Sequence, residues 1–145
     1  MIILNQHDEV LTSQRLAPNN PAFHMKWQFP GGYQEYGESF AQTAQREVQE
    51  ECDASLELES IKFVTVMNVL YTEANYHNVG IFMLAKVDKD TFNFRNTEPE
   101  KCTDWHWVKW AEFIAKETDS LFIPFKYFWE QGYKDLDKLK RLCSQ

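Results

Sequence analysis

The sequence contains little of several residue types and patterns that mark common protein classes. Only three of its 145 residues are Cys, at the distant positions Cys52, Cys102 and Cys143, so neither a disulfide framework nor a zinc site is expected. The five Gly and five Pro are too few for a low-complexity chain. No apolar run approaches the length of about 20 residues that spans a membrane, and the polar stretch 5–8 begins too early for a signal peptide. These scarcities predict a cytoplasmic globular protein with reduced thiols.

Basic residues are also in the minority. Lys and Arg number 15 against 22 Asp and Glu, which gives a formal net charge of -7, whereas a surface that binds nucleic acid polymers would require the opposite balance. Apolar residues make up 43% of the chain and aromatic residues 15%, which is enough to build a core. No repeat, linker or change of composition divides the chain, so residues 1–145 are expected to form one domain.

The acidic excess lies in one segment, residues 35–59. This segment holds eight acidic residues and one basic residue, Arg46, and the rest of the chain has 14 residues of each sign. Such a concentration of like charge repels itself, and it forms either a solvated surface or a site that binds cations. The spacing of the carboxylates discriminates between these two interpretations.

The first half of the chain predicts short strands followed by a helix. The apolar stretches 1–4 and 10–11 flank a polar turn and indicate a hairpin, and Trp27–Phe29 is typical of a short strand. The spacing of apolar residues over Ser39–Cys52 predicts an amphipathic helix. Ser39 and Gln42 fit a capping box at its start.

The second half predicts more strands and two terminal helices. The β-rich runs Ile61–Leu70 and Val79–Val87 flank a polar stretch and indicate a long antiparallel hairpin. The remaining expected elements are a strand at 105–108 and helices at 122–133 and 135–142. A sheet with flanking helices indicates an α/β layered domain.

Three carboxylates of the predicted helix stand on one face. Glu47, Glu50 and Glu51 are related as i, i+3 and i+4, and three ionised carboxylates this close should destabilise the helix. Arg46 relieves the repulsion only in part, through its i+4 partner Glu50, and a hard cation such as Mg²⁺ would relieve the rest. A merely solvated acidic face is the alternative, and it is the commoner explanation of an isolated ExxEE pattern.

The residues around this helix favour the metal site. The spacing of the Nudix box, GX5EX7REUXEEXGU with U an aliphatic residue, is matched by Gly32, Glu38, Arg46-Glu47, Val48 and Glu50-Glu51. The chain therefore resembles the Nudix hydrolases, and the resemblance implies a Nudix α/β/α sandwich with a mixed β-sheet. Two positions depart, because Asp53 and Ala54 stand where the box has Gly and an aliphatic residue. The Gly ends the helix with a left-handed turn, which Asp tolerates better than most residues.

The resemblance also assigns roles to residues of the box. It implies that Glu47 and Glu51 are the principal metal ligands, with Glu50 a further ligand or the base that activates water. It implies that the carbonyl of Gly31 faces the metal, and that the catalytic Arg46 orients the carboxylates. The implied cofactor is Mg²⁺, with Mn²⁺ as the alternative, and it would neutralise phosphate oxygens and position water.

The likeness extends over nearly the whole chain to one subgroup, the MutT homologue 2 type of nucleoside triphosphate diphosphatases. The segments that carry it are 28–32, 35–38, 75–77, 81–83, 98–102, 105–110 and 130–133. This subgroup converts nucleoside triphosphates, including oxidised purine nucleotides such as 8-oxo-dGTP, to the monophosphate and pyrophosphate. It forms homodimers, so the resemblance implies a homodimer here.

Positions outside the box match further site residues of the subgroup. Arg15 corresponds to an Arg that contacts phosphate, and Glu98 or Glu100 to an acidic residue that completes the metal site in some relatives. The alternatives are an ordinary surface Arg and a solvated loop acid. His77 is either a base or, more simply, a hydrogen-bonded structural His between strands.

The region that would hold the nucleobase combines matches with departures. Phe29, Phe122 and Phe125 fall where relatives enclose the base, although aromatic residues are more often plain core. The departures are Gly80 for Thr, Ile123 for Trp, Pro124 for Gly and Tyr33 for His. These changes predict retained phosphate chemistry and altered base selectivity. Relatives also carry about half a strand more before 1–4, so we expect a shortened edge strand there, either weak or covered by a partner subunit.

Three functions compete. The leading hypothesis is a Mg²⁺-dependent hydrolase of nucleoside triphosphates that cleans the nucleotide pool. The second keeps the chemistry but changes the substrate to a dinucleotide, NADH or an isoprenyl diphosphate, because Gly80 and Ile123 alter the pocket. The third is a Nudix-fold binding module without catalysis, which the retained carboxylates disfavour. Expected partners are a nucleotide and a second copy of the chain, with no nucleic acid polymer and no membrane.

Overall fold

Alternation of apolar residues along the strands produces a sheet with two buried faces. The structure, a computed structural model, describes residues 1–144. Its strands are β1 (Ile2–Asn5), β2 (Glu9–Gln14), β3 (Trp27–Gln28), β4 (Lys62–Tyr71), β5 (Tyr76–Val87) and β6 (His106–Lys109). Its helices are α1 (Phe40–Cys52), α2 (Trp110–Ile114), α3 (Ile123–Glu130) and α4 (Leu136–Cys143).

The strands form one mixed sheet in the order β3-β2-β1-β5-β4, with β6 also paired to β2. β1 pairs with β2 in an antiparallel hairpin, with Leu4 opposite Val10, and it pairs with β5 in parallel, with Ile2 opposite Leu84. The expectation that the first strand lies at an edge of the sheet is therefore wrong. β1 is bonded on both sides, since β5 returns from the hairpin to lie beside it.

Two hydrophobic clusters cover the two faces of the sheet. On one face, Ala44 and Val48 of α1 pack against Ile3 and Leu11 of the strands. On the other face, α2, α3 and α4 pack against the residues that alternate with these, such as Leu4. The fold is thus the expected α/β/α sandwich with a mixed sheet.

The ends of α1 are fixed by the residues that the sequence predicts. Ser39 is the N-cap: its hydroxyl accepts from the N–H of Gln42, and the side chain of Gln42 accepts in return from the N–H of Ser39, at 3.2 and 2.8 Å. At the other end, Asp53 adopts the left-handed conformation with φ 48°. The capping box and the left-handed C-cap are both confirmed.

Other elements differ from the sequence prediction in their extent. β5 begins at Tyr76, because a short 3-10 turn, Thr72–Ala74, and left-handed Asn75 are enough to reverse the chain. Polar Tyr76, His77 and Asn78, expected in a loop, therefore pair with β4. The short helix α2 was not predicted, because five residues carry too little periodicity to reveal it. Within residues 1–144, no helix combines the length and apolar character needed to cross a membrane.

Candidate active site

Arg46 organises the acidic face of α1. Its guanidinium bonds Glu38 through Nε at 2.6 Å, and its Nη1 bonds Glu47 at 2.8 Å and Glu50 at 3.1 Å. Nη2 donates to the carbonyl of Tyr33 at 2.8 Å. The hydrogen bond from Arg46 lowers the pKa of Glu38 to about 2. One cation thus ties the loop before α1 to two carboxylates of the helix.

The turn before this loop, at Gly31 and Gly32, lies against the carboxylates of Glu51 and Glu47. The N–H of Gly31 donates to Oε2 of Glu51 at 2.9 Å. The carboxylate of Glu47 sits so close to Gly32 that a Cβ at this position would overlap it. A side chain at position 32 would therefore force the carboxylate of Glu47 to move.

Glu51 is the carboxylate whose charge is most strongly disfavoured. Burial, together with the negative charges of Glu47 and Glu98, raises its pKa to about 7 against the opposing hydrogen bond from Gly31. Glu98 lies on the segment that follows β5 and pairs with Lys101 at 2.6 Å. Glu98 is the acid of this segment whose charge acts on Glu51.

The donor atoms at this site fit a hard divalent cation by their chemistry. Carboxylate oxygens are the ligands that Mg²⁺ and Mn²⁺ prefer, and a cation would stabilise the anion of Glu51 that burial opposes. Across residues 1–144, no group of three His, Cys, Asp or Glu side chains is already arranged to hold a metal. The reason is visible in the hydrogen bonds, since Glu50 turns to Arg46 and Glu51 turns to Gly31.

A cavity of about 380 Å³ opens on the other side of this turn, and we call it the aromatic cavity. It lies between β5 and the start of α3, which is the face of the sheet opposite α1. Its lining includes Arg15, Phe23, Gln28, Phe29, Gly31, Tyr76, Asn78, Gly80, Phe122 and Phe125. Aromatic walls with a few polar groups are typical of a site for a flat ring system.

Arg15 is the charged residue of the aromatic cavity. Its guanidinium lies over the ring of Phe122, with 4.4 Å between Cζ and the ring centroid, and Nη1 donates to Oε1 of Gln28 at 2.9 Å. Its Nε is buried and has no hydrogen-bond partner within residues 1–144. A buried donor without a partner is costly, so this atom is a candidate contact for a ligand oxygen.

A second cavity, of about 390 Å³, lies between β5 and α1, and we call it the helix cavity. Phe40 and Ala44 of α1 line one side, Ile81 and Met83 of β5 line the other, and Glu47 lies at its end. The two cavities share the segment 31–33 and Met1, Val79 and Ile81 as lining, so they adjoin one another. Tyr33 belongs to both linings and is otherwise exposed.

Not every predicted site residue reaches these cavities. Ile123, predicted to contact the substrate, is only 2% exposed and packs in the core, whereas the neighbouring Pro124 lines the aromatic cavity. The ring of His77 bonds Asn68 at 2.8 Å, which is the structural role between strands.

The sequence did not indicate several lining residues of the aromatic cavity, among them Phe23, Gln28, Tyr76 and Asn78. Alternation with Gly80 along β5 would have placed Tyr76 and Asn78 on the same face, if the strand had been recognised from its start.

Comparison with known proteins gives the same family as the sequence motif. The model of the NUDIX domain family matches residues 1–126. Among solved structures, the MutT protein from Bacillus halodurans is 22% identical with a TM-score of 0.61, and the match covers 89% of this chain and 76% of that chain. The NUDIX domain of Shewanella oneidensis NrtR complexed with ADP ribose is 20% identical with a TM-score of 0.67, covering 92% and 82%. A C. elegans Ap4A hydrolase is 19% identical with a TM-score of 0.63, covering 99% and 93%. At these identities the likeness establishes the fold.

Proposed function

The chain belongs to the NUDIX domain family, and on that basis we propose that it is a metal-dependent hydrolase that converts nucleoside triphosphates to monophosphates and pyrophosphate. Family membership makes it a Nudix hydrolase of a diphosphate substrate. The choice of nucleoside triphosphates, oxidised purine nucleotides such as 8-oxo-dGTP among them, is the proposal. We propose that residues 1–145 act as a single Nudix domain.

The observation that carries the proposal is the half-buried carboxylate of Glu51, whose charge is opposed by that of Glu47. Partial burial and neighbouring charges disfavour this anion, and Arg46 is engaged mainly by Glu38, Glu47 and Glu50, so a bound cation would stabilise the carboxylate of Glu51. Glu47 and Glu51 would hold Mg²⁺ or Mn²⁺, with Glu98 completing the site. When bound, the cation supplies charge neutralisation for phosphate oxygens and a water of lowered pKa.

The protein groups around the cation hold and orient the reacting atoms. Arg46 fixes the directions of Glu47 and Glu50 by charge-assisted hydrogen bonds. Glu50 is the most exposed of the three, at 55%, and this favours it as the base that accepts a proton from the attacking water. At Gly32 the missing side chain leaves space that the carboxylate of Glu47 occupies, so this carboxylate lies directly against the turn.

The aromatic cavity supports a substrate with a nucleobase, which this cavity would hold. Phe29, Phe122 and Phe125 offer ring faces and edges, and Arg15 offers its free Nε. Arg15 would contact phosphate or a base carbonyl, and its stacking on Phe122 keeps it in place. At Gly80, an added Cβ would meet Val69 and Phe82 at 3.4 and 3.5 Å, so the missing side chain leaves room in the cavity for a larger or modified base.

The two cavities of similar size favour a second candidate, a substrate with two nucleosides or a nucleoside and a sugar. The aromatic cavity and the helix cavity adjoin at the segment 31–33, as two binding lobes joined by one diphosphate would. The structural neighbours include an Ap4A hydrolase and a domain complexed with ADP ribose. The helix cavity is predominantly apolar, which also admits NADH or an isoprenyl diphosphate.

We also propose that the protein works in the cytoplasm as a homodimer. Three scattered Cys are all unpaired in the described part of the chain, and a reducing compartment keeps them so. Apolar residues of the β4–β5 hairpin, among them Val66, Leu70 and Val79, are about half exposed, and a partner subunit would cover them. Light scattering at several protein concentrations gives the mass directly; a monomer throughout would contradict the dimer.

A substrate panel tests the proposed function. dGTP, 8-oxo-dGTP, dCTP, Ap4A, ADP-ribose and NADH are each incubated with the protein and Mg²⁺, and the products are separated by ion-exchange chromatography. We expect a nucleoside monophosphate and pyrophosphate from at least one triphosphate. Preference for Ap4A, ADP-ribose or NADH would favour the second candidate. A folded protein that hydrolyses none of them would indicate a binding module and would contradict the proposal.

A further inference from the structure

The segment 95–105 caps the C-terminal end of α1, and we call it the capping segment. The N–H of Arg95 donates to the carbonyl of Cys52 at 2.9 Å. The N–H of Thr97 donates to the carbonyl of Glu51 at 3.3 Å. The last four carbonyls of a helix lack donors within the helix, and the capping segment supplies donors to two of those of α1.

Two side chains of the capping segment add to these bonds. The indole N–H of Trp105 donates to the carbonyl of Glu51 at 3.1 Å. The hydroxyl of Thr97 donates to the carbonyl of Glu50. The backbone of both acidic residues is therefore held by the same segment, and Glu51 receives two donors from it.

A further ion pair joins the same two pieces of chain. Asp53, which stands where the Nudix box has Gly, caps α1 with φ 48° and pairs through Oδ2 with Nε of Arg95 at 2.7 Å. The left-handed conformation favours Gly, so Asp at this position brings a side chain at a conformational cost. The side chain makes the contact to Arg95 that Gly would lack.

Glu98 belongs to the capping segment. Its N–H is held by Oδ1 of Asn96 at 2.9 Å, and its carbonyl accepts from the N–H of Lys101 at 2.9 Å. These two bonds fix the backbone at Glu98 within the capping segment, and the capping segment is itself bonded to α1. Thr97, the neighbour of Glu98, bonds the carbonyls of Glu50 and Glu51, so these hydrogen bonds fix the backbone of Glu98 relative to the end of α1.

We propose that the capping segment sets the spacing between Glu98 and Glu51, with Thr97 and the Asp53–Arg95 pair as positioning residues for the metal site. The inference rests on the proposed function, because this spacing matters only if both carboxylates hold a cation. None of the three positioning residues needs to contact the substrate. Each acts through the C-terminal end of α1, whose carbonyls and Asp53 side chain accept their bonds.

Metal binding by the protein without substrate tests the inference. Mn²⁺ is titrated and its free fraction is read by electron paramagnetic resonance, for wild type, Thr97→Val, Thr97→Ser and Thr91→Val. Thr97→Val keeps the shape and removes the donor, and we expect its Mn²⁺ dissociation constant to rise about three- to tenfold. Thr97→Ser restores a hydroxyl and should bind as wild type does. Thr91→Val is the matched control, since among residues 1–144 its hydroxyl donates only to the carbonyl of Asp88, away from α1.

A double-mutant comparison separates positioning from general structural damage. If Thr97 acts through Glu98, Thr97→Val should have little effect on Mn²⁺ affinity once Glu98→Gln is present. A merely structural role would weaken binding equally in both backgrounds. Asp53→Asn provides a second route, because Asn tolerates the left-handed turn but loses the charge, and we expect a two- to fivefold weaker affinity.

The outcomes are distinct from those of the substrate panel. Wild-type affinity in folded Thr97→Val and Asp53→Asn variants would overturn the positioning role while leaving the proposed function intact. If Thr97→Val fails to fold by circular dichroism, Asp53→Asn decides. Absence of Mn²⁺ binding by wild type would overturn the proposed function, and the positioning role with it.

Discussion

At the scale of single residues, the site depends on contacts that the sequence motif implies only in part. The motif places Glu47, Glu50 and Glu51 on one helix face, and spacing alone was sufficient for that. It does not reveal that Gly31 bonds Glu51 through its N–H, or that Gly32 leaves room for the carboxylate of Glu47. Such contacts depend on tertiary approach, which no local pattern encodes.

Gly32 provides a residue-scale prediction. In Gly32→Ala the new Cβ would displace the end of the Glu47 side chain, which is flexible, so the free energy of unfolding should change by less than about 1 kcal/mol. Mn²⁺ affinity should fall roughly tenfold or more, because Glu47 must leave its position. Calorimetric titration measures the Mn²⁺ binding constants of wild type and variant, and urea unfolding measures their stabilities. Gly80→Ala is the control, since its Cβ would make ordinary contacts; equal Mn²⁺ affinity of the two variants would argue against Glu47 as a ligand.

Glu9 gives a prediction about acid stability. Hydrogen bonds from Lys89 and Asn5 lower the pKa of this carboxyl from 4.5 to about 2. A lowered folded-state pKa stabilises the protein above pH 4.5 and loses this contribution as the pH falls towards 2. Glu9→Gln should therefore be less stable than wild type at pH 7, on the order of 2 kcal/mol, with the difference vanishing near pH 2.

Urea unfolding at several pH values measures this difference. Glu112→Gln serves as the matched control, because Glu112 is exposed and carries no ion pair or side-chain hydrogen bond in the described residues. A constant difference between Glu9→Gln and wild type from pH 7 to pH 2 would contradict the assigned cause.

At the scale of elements, strong local sequence signals were sufficient to predict a helix and its ends, whereas weak signals did not predict strand positions and bounds. The capping box at Ser39, the apolar stripe of α1 and the left-handed Asp53 follow from local chemistry and are all observed. The position of β1 inside the sheet could not be predicted from the sequence, because its pairing with β5 joins residues about eighty positions apart. The start of β5 was missed for another reason, since polar residues in a half-exposed strand look like a loop.

The N-cap of α1 offers an element-scale prediction. Ser39→Ala removes the acceptor for the N–H of Gln42 and should lower the free energy of unfolding by about 1 kcal/mol. The ion pair between Glu38 and Arg46 does not use the Ser39 hydroxyl. The rate of substrate hydrolysis by Ser39→Ala should therefore fall less than fivefold. Denaturant unfolding and steady-state kinetics give the two values. Ser55→Ala, at an exposed Ser outside any cap, is the control and should be neutral; an equal loss in both variants would contradict the role of the cap.

At the scale of the whole molecule, the negative charge is concentrated where the cation is expected. The net charge of -7 equals that of the segment 35–59 alone. Three loops and one helix meet there: the turn at Gly31, the loop tied by Arg46, the capping segment and α1. The sequence indicated the helix and the turn. It could not indicate that the capping segment holds the helix end, since that contact spans more than forty residues.

Metal binding should therefore stabilise the whole fold. A ligand that binds only the folded state at one hundred times its dissociation constant adds about 2.7 kcal/mol, which raises the unfolding temperature by several degrees. We expect this rise with Mg²⁺ or Mn²⁺ in differential scanning calorimetry, and its reversal by EDTA. Sodium chloride at equal ionic strength is the control. An equal rise with sodium chloride would indicate general screening of the acidic segment and would contradict a specific site.

The most direct measurement is hydrolysis by Glu51→Gln compared with wild type, using the best substrate of the panel. Gln keeps the acceptor for the N–H of Gly31 and removes the buried charge, so the variant should fold and be no less stable without metal. Its rate at saturating Mg²⁺ should fall on the order of 100-fold or more, whereas Glu59→Gln, in the same acidic segment but outside α1, should retain the wild-type rate. Full activity of a folded Glu51→Gln variant would contradict the assignment of the metal site to the end of α1.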